Sequence, residues 1–288
     1  MRIVITGGGG FLGSYIAEEA SKKKYEVIVI DKYIGTKVNN NIKYIKADMG
    51  NTKILKKIIK VNDIVFHLAA ISDIDKASSN GIKTVNNNIL STVKLLEVCK
   101  QKKIKKFIFS SSIYVHSKIG GFYRISKKSS ELFVEEYAKK NKFKFAILRF
   151  GTVYGPRQSI KNNISRMIYN AIYNKRLIYN GSKESSRKFI HVNDVAKISI
   201  GIISKKFDNK VILIEGNKPT LVSEVLKIIK KKLKLNNKFI FENIKNNHYI
   251  KSPYSYFEMK ECKYKLNKYI KLEKGIEDLI NYQKKSKN

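Results

Sequence analysis

Tryptophan is absent from the sequence, and proline and cysteine are scarce, with three and two residues among 288. Cys99 and Cys262 show no disulfide or metal-binding spacing, which is typical of a protein from a reducing compartment. The four histidines are scattered, so the sequence predicts no metal site. No apolar run approaches the roughly 20 residues that cross a bilayer, and the chain opens on an apolar strand pattern, with no room for a signal peptide. We therefore predict a cytoplasmic protein that does not enter a membrane.

Acidic residues are also few: 23 Asp and Glu stand against 59 Lys and Arg, which gives a formal net charge of +36. Such an excess raises the hypothesis of a nucleic-acid or other polyanionic partner. However, the lysines are spread along the whole chain, and asparagine and isoleucine are heavily used as well. We interpret the charge as a composition bias on a solvated surface and predict no nucleic-acid partner. Polyanion binding and the steering of an anionic substrate stay open as alternatives.

The first half of the chain alternates short apolar runs with amphipathic stretches. Strands are predicted at residues 3–6, 27–31, 42–46, 64–69, 107–111 and 145–150. Helices are predicted between them, at residues 10–23, 52–60, 84–101 and 123–141. Continuous apolar runs such as residues 27–30 suit strands that are buried on both faces. This alternation predicts an α/β fold with a Rossmann-type, doubly wound parallel sheet.

The second half of the chain is less regular. It predicts a helix at residues 164–174, strands at 189–192 and 211–215 that return toward the sheet, and a helix at 220–233. Residues 234–288 are rich in lysine and asparagine and weakly patterned. We predict a first domain over residues 1–155, to which a segment at about 187–217 returns. Residues 156–288 are predicted to form mainly a smaller, mixed lobe.

Glycines follow the first strand at a spacing that is typical of a dinucleotide-binding turn. Gly7 can form the tight turn, Gly10 lets the backbone approach a pyrophosphate, and Gly13 lets the next helix pack closely. Phe11 and Leu12 offer main-chain amides at the start of that helix, where the helix dipole favours a phosphate. The domain over residues 1–155 is therefore predicted to bind a dinucleotide.

Residues at the ends of the next strands extend this prediction. Asp31 ends the second strand, where a carboxylate can accept both ribose hydroxyls and repel a 2′-phosphate, so we predict NAD rather than NADP. The alternative is that Asp31 only caps the following turn. Asp48, followed by Met49, is placed to meet the adenine amine. Ala69 and Ala70 follow the fourth strand as small residues where the backbone passes the cofactor closely.

A tyrosine and a lysine lie four residues apart, downstream of a run of serines. Tyr123 can transfer the hydroxyl proton of a sugar carbon if its pKa is lowered toward the working pH. Lys127 lies on the same helix face, and its positive charge favours the phenolate. Ser112, at the end of the fifth strand, can hold the substrate oxygen. The alternative is a surface pair on a polar helix and serines that only end a strand.

These residues resemble the extended short-chain dehydrogenase/reductase family, in its NAD-dependent nucleotide-sugar epimerase/dehydratase branch. The resemblance covers roughly residues 1–200 and combines the acid at Asp31 with motifs at 6–13, 48–49, 67–70, 110–112, 123–127, 148–157 and 187–196. It implies that Ser112, Tyr123 and Lys127 are catalytic, that Tyr123 and Lys127 also contact NAD, and that Asn88 lies near the substrate. It also implies that Arg187 binds the nucleotide diphosphate, a role that suits a cationic side chain.

Three positions depart from the family pattern. Tyr123 comes only 11 residues after Ser112, which is shorter than usual, so a substrate-contacting loop is trimmed. Thr152, a predicted substrate contact, stands where the family often has asparagine. Ile113 follows Ser112 where the dehydratases and decarboxylases of this branch have an acidic residue, and isoleucine cannot transfer a proton.

We therefore predict an NAD-dependent epimerase of a nucleotide-diphosphate sugar, acting at the sugar 4-position through a transient 4-keto intermediate, with residues 156–288 forming mainly the substrate-binding lobe. A nucleotide-sugar 4-ketoreductase or dehydrogenase is the first alternative. A non-catalytic nucleotide- or RNA-binding member of the fold is the second.

The resemblance also implies a homodimer, paired through the helices predicted at residues 84–101 and 123–141. The second helix carries Leu132, Phe133, Val134 and Tyr137, more apolar groups than one sheet face needs. A two-fold pair would bury them in a four-helix contact. The alternative is that they pack only on their own sheet.

Overall fold

The computed structural model describes residues 1–35, 39–242 and 261–286 of the chain. Its strands, in chain order, are β1 (Arg2–Thr6), β2 (Glu26–Asp31), β3 (Ile42–Lys46), β4 (Ile64–His67), β5 (Lys106–Ser112), β6 (Lys144–Phe150), β7 (Thr152–Tyr154), β8 (Leu177–Asn180), β9 (Ser186–Arg187), β10 (Phe189–His191), β11 (Lys210–Ile214), β12 (Thr220–Leu221), β13 (Phe239–Glu242) and β14 (Cys262–Lys263). Its α-helices are α1 (Phe11–Lys22), α2 (Thr52–Ile58), α3 (Ile74–Ser79), α4 (Gly81–Thr84), α5 (Ser91–Gln101), α6 (Gly121–Asn141), α7 (Asn163–Tyr173), α8 (Val192–Gly201), α9 (Val222–Leu233) and α10 (Leu272–Lys285).

Eight strands form one parallel sheet in the order β14-β11-β6-β5-β4-β1-β2-β3. The apolar runs of β1, β2, β4 and β5 are buried on both faces, as expected for a sheet that helices cover. The strand order reverses between β1 and β4, and ligands of such sheets bind beyond the carboxyl ends of the strands at this point. The predicted Rossmann-type α/β fold is therefore confirmed.

The chain divides into two compact units. The first contains Met1–Phe150, Ala196–Ile214 and residues 261–264, and it holds the large sheet. Lys106 anchors the segment that returns to this unit. Its Nζ donates to the carbonyl oxygens of Ile202 and Ser204 at 2.9 and 3.2 Å and pairs with Asp208 at 2.7 Å. A buried lysine thus replaces its hydration by three oxygen partners.

The second unit contains Gly151–Val195 with residues 215–242 and 265–286. Three two-stranded sheets, β7–β10, β9–β12 and β8–β13, lie in it with α7, α9 and α10. Its core includes fully buried Ile168, Leu226 and Ile276, one from each helix. A Cβ atom at Gly275 would lie 2.3 Å from the Tyr154 hydroxyl, so glycine is what allows α10 to approach this ring closely.

Three sequence predictions need correction. The predicted strand at 189–192 does not join the large sheet, because β10 pairs with β7. The helix predicted at 84–101 is broken into α4, a π-helix (Val85–Leu90) and α5. Helix α10 lies in the segment described as weakly patterned; Leu272, Ile276, Leu279 and Ile280 share one helix face, a spacing that could have revealed it.

Candidate active site

The turn after β1 requires glycine at several positions, among them Gly7 and Gly13. Gly7 has a φ of +74°, and a Cβ there would lie 2.5 Å from the Ala69 amide nitrogen. A Cβ at Gly13 would lie 2.3 Å from the Gly7 carbonyl oxygen. At Gly10 a Cβ would meet only that same oxygen, at 3.3 Å. Gly10 therefore leaves open space beside the turn, where a ligand can approach the backbone.

Helix α1 begins directly after this turn, and its N-cap residue Gly10 makes no side-chain capping hydrogen bond. The first amides of a helix lack partners within the helix. Those of Phe11 and Leu12 can therefore donate to an anion, and the helix dipole favours one there. The turn and the helix start together fit the pyrophosphate of a dinucleotide.

The carboxylate of Asp31 lies against the glycine turn. Its Oδ2 accepts from the Gly9 amide at 2.9 Å and its Oδ1 from the Tyr33 amide at 3.1 Å. Asp31 therefore caps the turn, as the alternative interpretation states. Each carboxylate oxygen has a second lone pair, so the two roles are compatible and ribose hydroxyls can still be accepted.

Both carboxylate oxygens of Asp48, just after β3, have a partner. Oδ1 accepts from the Gly50 amide at 2.7 Å, and Oδ2 pairs with Lys32 at 2.9 Å. The Gly50 amide, with help from Lys32, lowers the pKa of Asp48. The Met49 side chain is buried in the core of the first unit, so only its backbone can face a ligand. Ala69 and Ala70 are half-buried, and Ala69 borders Gly7; their contact with the cofactor stays a prediction.

The structure brings Ser112, Tyr123 and Lys127 together. Ser112 ends β5, Tyr123 lies in the first turn of α6, and Lys127 follows one turn later. All three are buried, and the Ser112 side chain hydrogen-bonds to Tyr123. Lys127 Nζ donates to the Ser110 carbonyl oxygen at 2.6 Å and lies 4.9 Å from the centre of the Phe109 ring. Sequence reasoning missed the role of the Ser110 carbonyl, because a main-chain acceptor leaves no residue signature.

The pKa of Tyr123 is raised, whereas the sequence pattern predicted that it would be lowered. Burial raises the pKa above its ordinary value, while the hydrogen bond from Ser112 lowers it. Burial also lowers the pKa of Lys127 to about 8, opposed by the charge of Glu131. The net pKa of Tyr123 is therefore raised in the protein alone, and its lowering by the charge of Lys127 stays a prediction. The tyrosine is held as a neutral phenol, and the lysine has a perturbed pKa, as is frequent at functional sites.

His67, in β4, is a neutral core residue. Its Nδ1 lies 2.7 Å from Thr6 Oγ1 and its Nε2 lies 2.9 Å from Thr92 Oγ1. The Thr92 hydroxyl donates to the Asn88 carbonyl oxygen at 2.6 Å, so it accepts from Nε2–H, and Nδ1 accepts from Thr6. Burial, with a smaller effect of the Lys127 charge, lowers the His67 pKa to about 3. His67 therefore stays uncharged beside the site.

The Asn88 side chain joins the loop after β4 to helix α6. Its Oδ1 accepts from the Ile71 amide at 2.7 Å, and its Nδ2 donates to the Ile71 carbonyl and to Ser126 Oγ at 3.1 and 3.0 Å. Ser126 in turn donates to the Tyr123 carbonyl oxygen at 2.8 Å. Asn88 thus supports the turn that carries Tyr123. Its predicted contact with substrate stays a prediction.

The two other predicted substrate residues lie in the second unit. Thr152 begins β7 and pairs with Phe189 of β10. Arg187, in β9, pairs with Thr220 and is buried, and its Nη1 donates to the Ser186 carbonyl oxygen at 2.7 Å. Their roles in binding the diphosphate stay predictions.

Two further observations concern absent features. In the described ranges, no helix is long and apolar enough to span a membrane. Within those same ranges, no three His, Cys, Asp or Glu side chains are grouped so that they could hold a metal ion.

A glycine turn at the strand switch point, an uncapped helix start and an acid at the end of β2 define a dinucleotide-binding fold, with a serine, a tyrosine and a lysine assembled beside it. Residues 3–214 match the model of the NAD dependent epimerase/dehydratase family. The chain belongs to this family, and its cofactor is NAD. The turn, the helix start and Asp31 all fit that cofactor.

Known relatives of the chain act on nucleotide sugars. It is 28% identical to a putative UDP-glucose 4-epimerase of Methanocaldococcus jannaschii, with 98% of each chain covered. It is 31% identical to dTDP-D-glucose 4,6-dehydratase of Dictyostelium discoideum, covering 71% of this chain and 56% of that protein. The crystal structure of UDP-glucuronic acid 4-epimerase from Bacillus cereus, in complex with UDP-glucuronic acid and NAD, is 26% identical. It superposes with a TM-score of 0.84 over 99% of this chain and 100% of that chain.

Proposed function

We propose that the protein is an NAD-dependent epimerase of a nucleotide-diphosphate sugar, acting at the sugar 4-position through a transient 4-keto intermediate. The observation that carries this proposal is the buried assembly of Ser112, Tyr123 and Lys127 beside the glycine turn. The 4-epimerases among the relatives support it.

Each residue of the assembly has a distinct task in this proposal. Ser112 holds the substrate oxygen by a hydrogen bond, while Tyr123 removes its proton and later returns it. Lys127, with its pKa of about 8, supplies positive charge that stabilises the phenolate during the transfer. Bound NAD would supply the hydride acceptor, and return of the hydride to the opposite face of the 4-keto sugar would invert the sugar carbon. The Ser110 carbonyl holds the lysine in place on the side of β5.

The residue after Ser112 favours epimerisation over dehydration or decarboxylation. Ile113 is buried and apolar, so no acid or base stands at that position. The nearby carboxylates of Glu131 and Glu261 are both engaged by Arg149. Elimination of water needs a further proton-transfer group at the substrate, and the apolar Ile113 cannot provide it.

A panel of nucleotide sugars tests this proposal. The purified protein is first analysed by mass spectrometry for retained dinucleotide and nucleotide, and then incubated with UDP-hexoses and UDP-hexuronic acids without added NAD. We expect interconversion of C4 epimers with no net reduction of cofactor. Net consumption of NADH with a 4-keto sugar would instead support the ketoreductase alternative, and no turnover of any member would contradict the proposal.

We also propose that the protein is a homodimer paired through α6 and the helical segment over residues 84–101, and we expect it in the cytoplasm. Helix α6 exposes Phe122, Ile125, Leu132 and Phe133, and the π-helix exposes Val85 and Leu90. Single exposed apolar residues are ordinary, but several on adjoining helices are typical of an interface. Val134, by contrast, is fully buried within its own unit, so the alternative interpretation holds for that residue.

Light scattering tests the dimer at low micromolar concentration and moderate salt, which screens the repulsion between two chains of charge +36. We expect twice the chain mass for the wild type and the single chain mass for Leu132→Glu. Leu221→Glu, at a similarly exposed leucine of the second unit, is the control. A monomeric wild type would contradict the proposal.

A further inference from the structure

A buried ion network lies behind the assembled serine, tyrosine and lysine. Glu131 follows Lys127 by one turn of α6 and is 1% exposed. Its Oε1 accepts from Ser111 Oγ at 2.5 Å and from Arg149 Nε at 2.9 Å, and its Oε2 accepts from Arg149 Nη2 at 2.7 Å. Ser111 and Arg149 are partners across β5 and β6. Glu131 therefore fastens the helix that carries Lys127 to both strands, with the two-pronged geometry that arginine favours.

The third nitrogen of Arg149 extends the network to the residues after Ser112. Nη1 donates to Glu261 Oε1 at 2.5 Å and lies 2.7 Å from His116 Nε2. His116 is the last residue of a 3-10 turn (Ile113–His116) that begins directly after Ser112. A carboxylate oxygen can only accept, so Nε2 of His116, which contacts Glu261 Oε1, donates to it, and Arg149 Nη1 and His116 share this oxygen as their acceptor.

Glu261 reaches this position from a distant part of the chain. It precedes β14, which pairs with β11 at the edge of the large sheet, and its side chain is only 3% exposed. Burial opposes its ionisation, but the hydrogen bonds from Arg149 and His116 outweigh burial and lower its pKa. Arg149 therefore lies between the carboxylates of Glu131 and Glu261, and loss of either leaves the buried guanidinium incompletely paired.

The segment between Ser112 and Tyr123 also has hydrogen bonds of its own. Within it, the Tyr114 amide donates to Ser112 Oγ at 3.3 Å and the Ser117 amide donates to the Tyr114 carbonyl at 2.8 Å. The carboxylate of Glu261, through Arg149 and His116, supplies an anchor from outside the segment.

We propose that Glu261 is a positioning residue, which holds the turn after Ser112 through Arg149 and His116 and so keeps Ser112 aligned with Tyr123. The proposal rests on the epimerase function proposed above. Glu261 touches neither Ser112 nor Tyr123 in the contacts described, so its effect passes through the two residues that it holds.

Two substitutions of Glu261 test the proposal on the full-length protein loaded with NAD. Glu261→Gln keeps an acceptor for Arg149 and removes the charge, whereas Glu261→Ala removes both. With the UDP-sugar that the wild type turns over, we expect kcat to fall roughly 10-fold for the glutamine variant and 100-fold for the alanine variant. KM and the NAD affinity measured by calorimetry should change by less than about threefold, because positioning affects the reacting geometry rather than binding.

A matched control and a milder variant distinguish a loss of positioning from a loss of folding. Glu136→Gln changes an exposed glutamate on the outer side of α6, paired with Lys140 at the surface, and should leave kcat unchanged. His116→Gln keeps an N–H donor near the position of Nε2 and should retain more activity than His116→Leu. A kcat for Glu261→Gln equal to that of the control, with only thermal stability reduced, would overturn the proposal.

Hydrogen exchange gives a readout that needs no substrate. In Glu261→Gln the amides of Tyr114 and Ser117 should exchange at least about tenfold faster, while those of β1 stay unchanged. If the wild type turns over no sugar of the panel, the epimerase proposal fails, and this measurement still decides whether Glu261 holds the turn. Unchanged exchange at both amides overturns the inference.

Discussion

Two regions of the first unit, the glycine turn and the surroundings of Tyr123, obtain their shape by different physical means. The glycine turn between β1 and α1 is shaped by the backbone: Gly7 and Gly13 are required because any Cβ would collide with main-chain atoms. The region around Tyr123 is shaped by buried side chains, with Lys127 held by a carbonyl and Glu131 by Arg149. A site whose shape is set by main-chain atoms depends little on the side chains around it. A site made of buried charges depends on every partner that replaces water.

The largest expected effect concerns the acid/base group. Tyr123→Phe removes the hydroxyl that transfers the proton, so we expect turnover of the nucleotide sugar to fall by roughly 10²–10⁴ with NAD affinity nearly intact. Tyr282→Phe, at an exposed tyrosine of α10, is the control. Turnover and NAD titrations on the same preparations check this. Unchanged turnover in Tyr123→Phe would exclude the proposed mechanism.

The next effect concerns the buried lysine. Lys127 loses its proton at about pH 8 in the folded protein and near 10.5 in the unfolded chain. Between these values the unfolded state binds more protons, so this residue makes the wild type more stable as pH rises through the window. The cost of keeping the charge buried below pH 8 is about 3 kcal/mol.

Lys127→Met should remove that cost and abolish turnover. We expect the variant to unfold at higher urea than the wild type at pH 7, with a difference that shrinks as pH rises from about 8 toward 10.5. Lys128→Met, at a half-exposed neighbour, should show no such pH dependence. An unfolding difference that stays constant over the window would show that Lys127 carries no buried charge.

Glycine substitutions in the turn between β1 and α1 distinguish an effect on folding from an effect on NAD binding. Gly13→Ala forces a Cβ to 2.3 Å from a carbonyl oxygen and should lower the free energy of unfolding by about 1–3 kcal/mol. Gly10 has a φ of −81°, which any residue adopts, so Gly10→Ala should cost less than about 1 kcal/mol. It should nevertheless weaken NAD binding by roughly tenfold, since its methyl group occupies the open approach to the backbone.

Thermal unfolding and NAD calorimetry on both variants check this separation. If Gly10→Ala bound NAD as the wild type does, the pyrophosphate would not approach the backbone there. Equal losses of stability in the two variants would contradict the geometric argument.

The smallest expected effect concerns cofactor choice. Asp31→Ala should reduce the preference for NAD over NADP by roughly tenfold, the value of one or two lost hydrogen bonds to a charged group. Lys32 is paired with Asp48, so it is not expected to attract a 2′-phosphate strongly in the wild type. Calorimetric titration with both dinucleotides measures the ratio. A wild type that prefers NADP would contradict the assignment and direct attention to Lys32.

Sequence patterns predicted the elements of the first unit closely where burial was simple. Strand β3 coincides with its prediction. Strands β1, β2, β5 and β6 differ from theirs by one residue at one or both ends, because continuous apolar runs signal buried strands. The π-helix was missed by the sequence pattern; within it, Asn88 bonds to Ile71 in the loop after β4, a contact that neighbouring residues do not reveal. Strand β10 was assigned to the wrong sheet because a short apolar run does not specify its partner.

The sequence by itself determined the features that depend on neighbouring residues. The glycine positions of the turn, the acid at the end of β2 and the spacing of Tyr123 and Lys127 on one helix face are all local, and local geometry follows from residue type. Only the tertiary structure decided the raised pKa of Tyr123, the pairing of Lys127 with the Ser110 carbonyl and the arrival of Glu261 at Arg149. These depend on burial and on contacts between residues far apart in the chain, and no local pattern encodes which distant groups replace water around a charge.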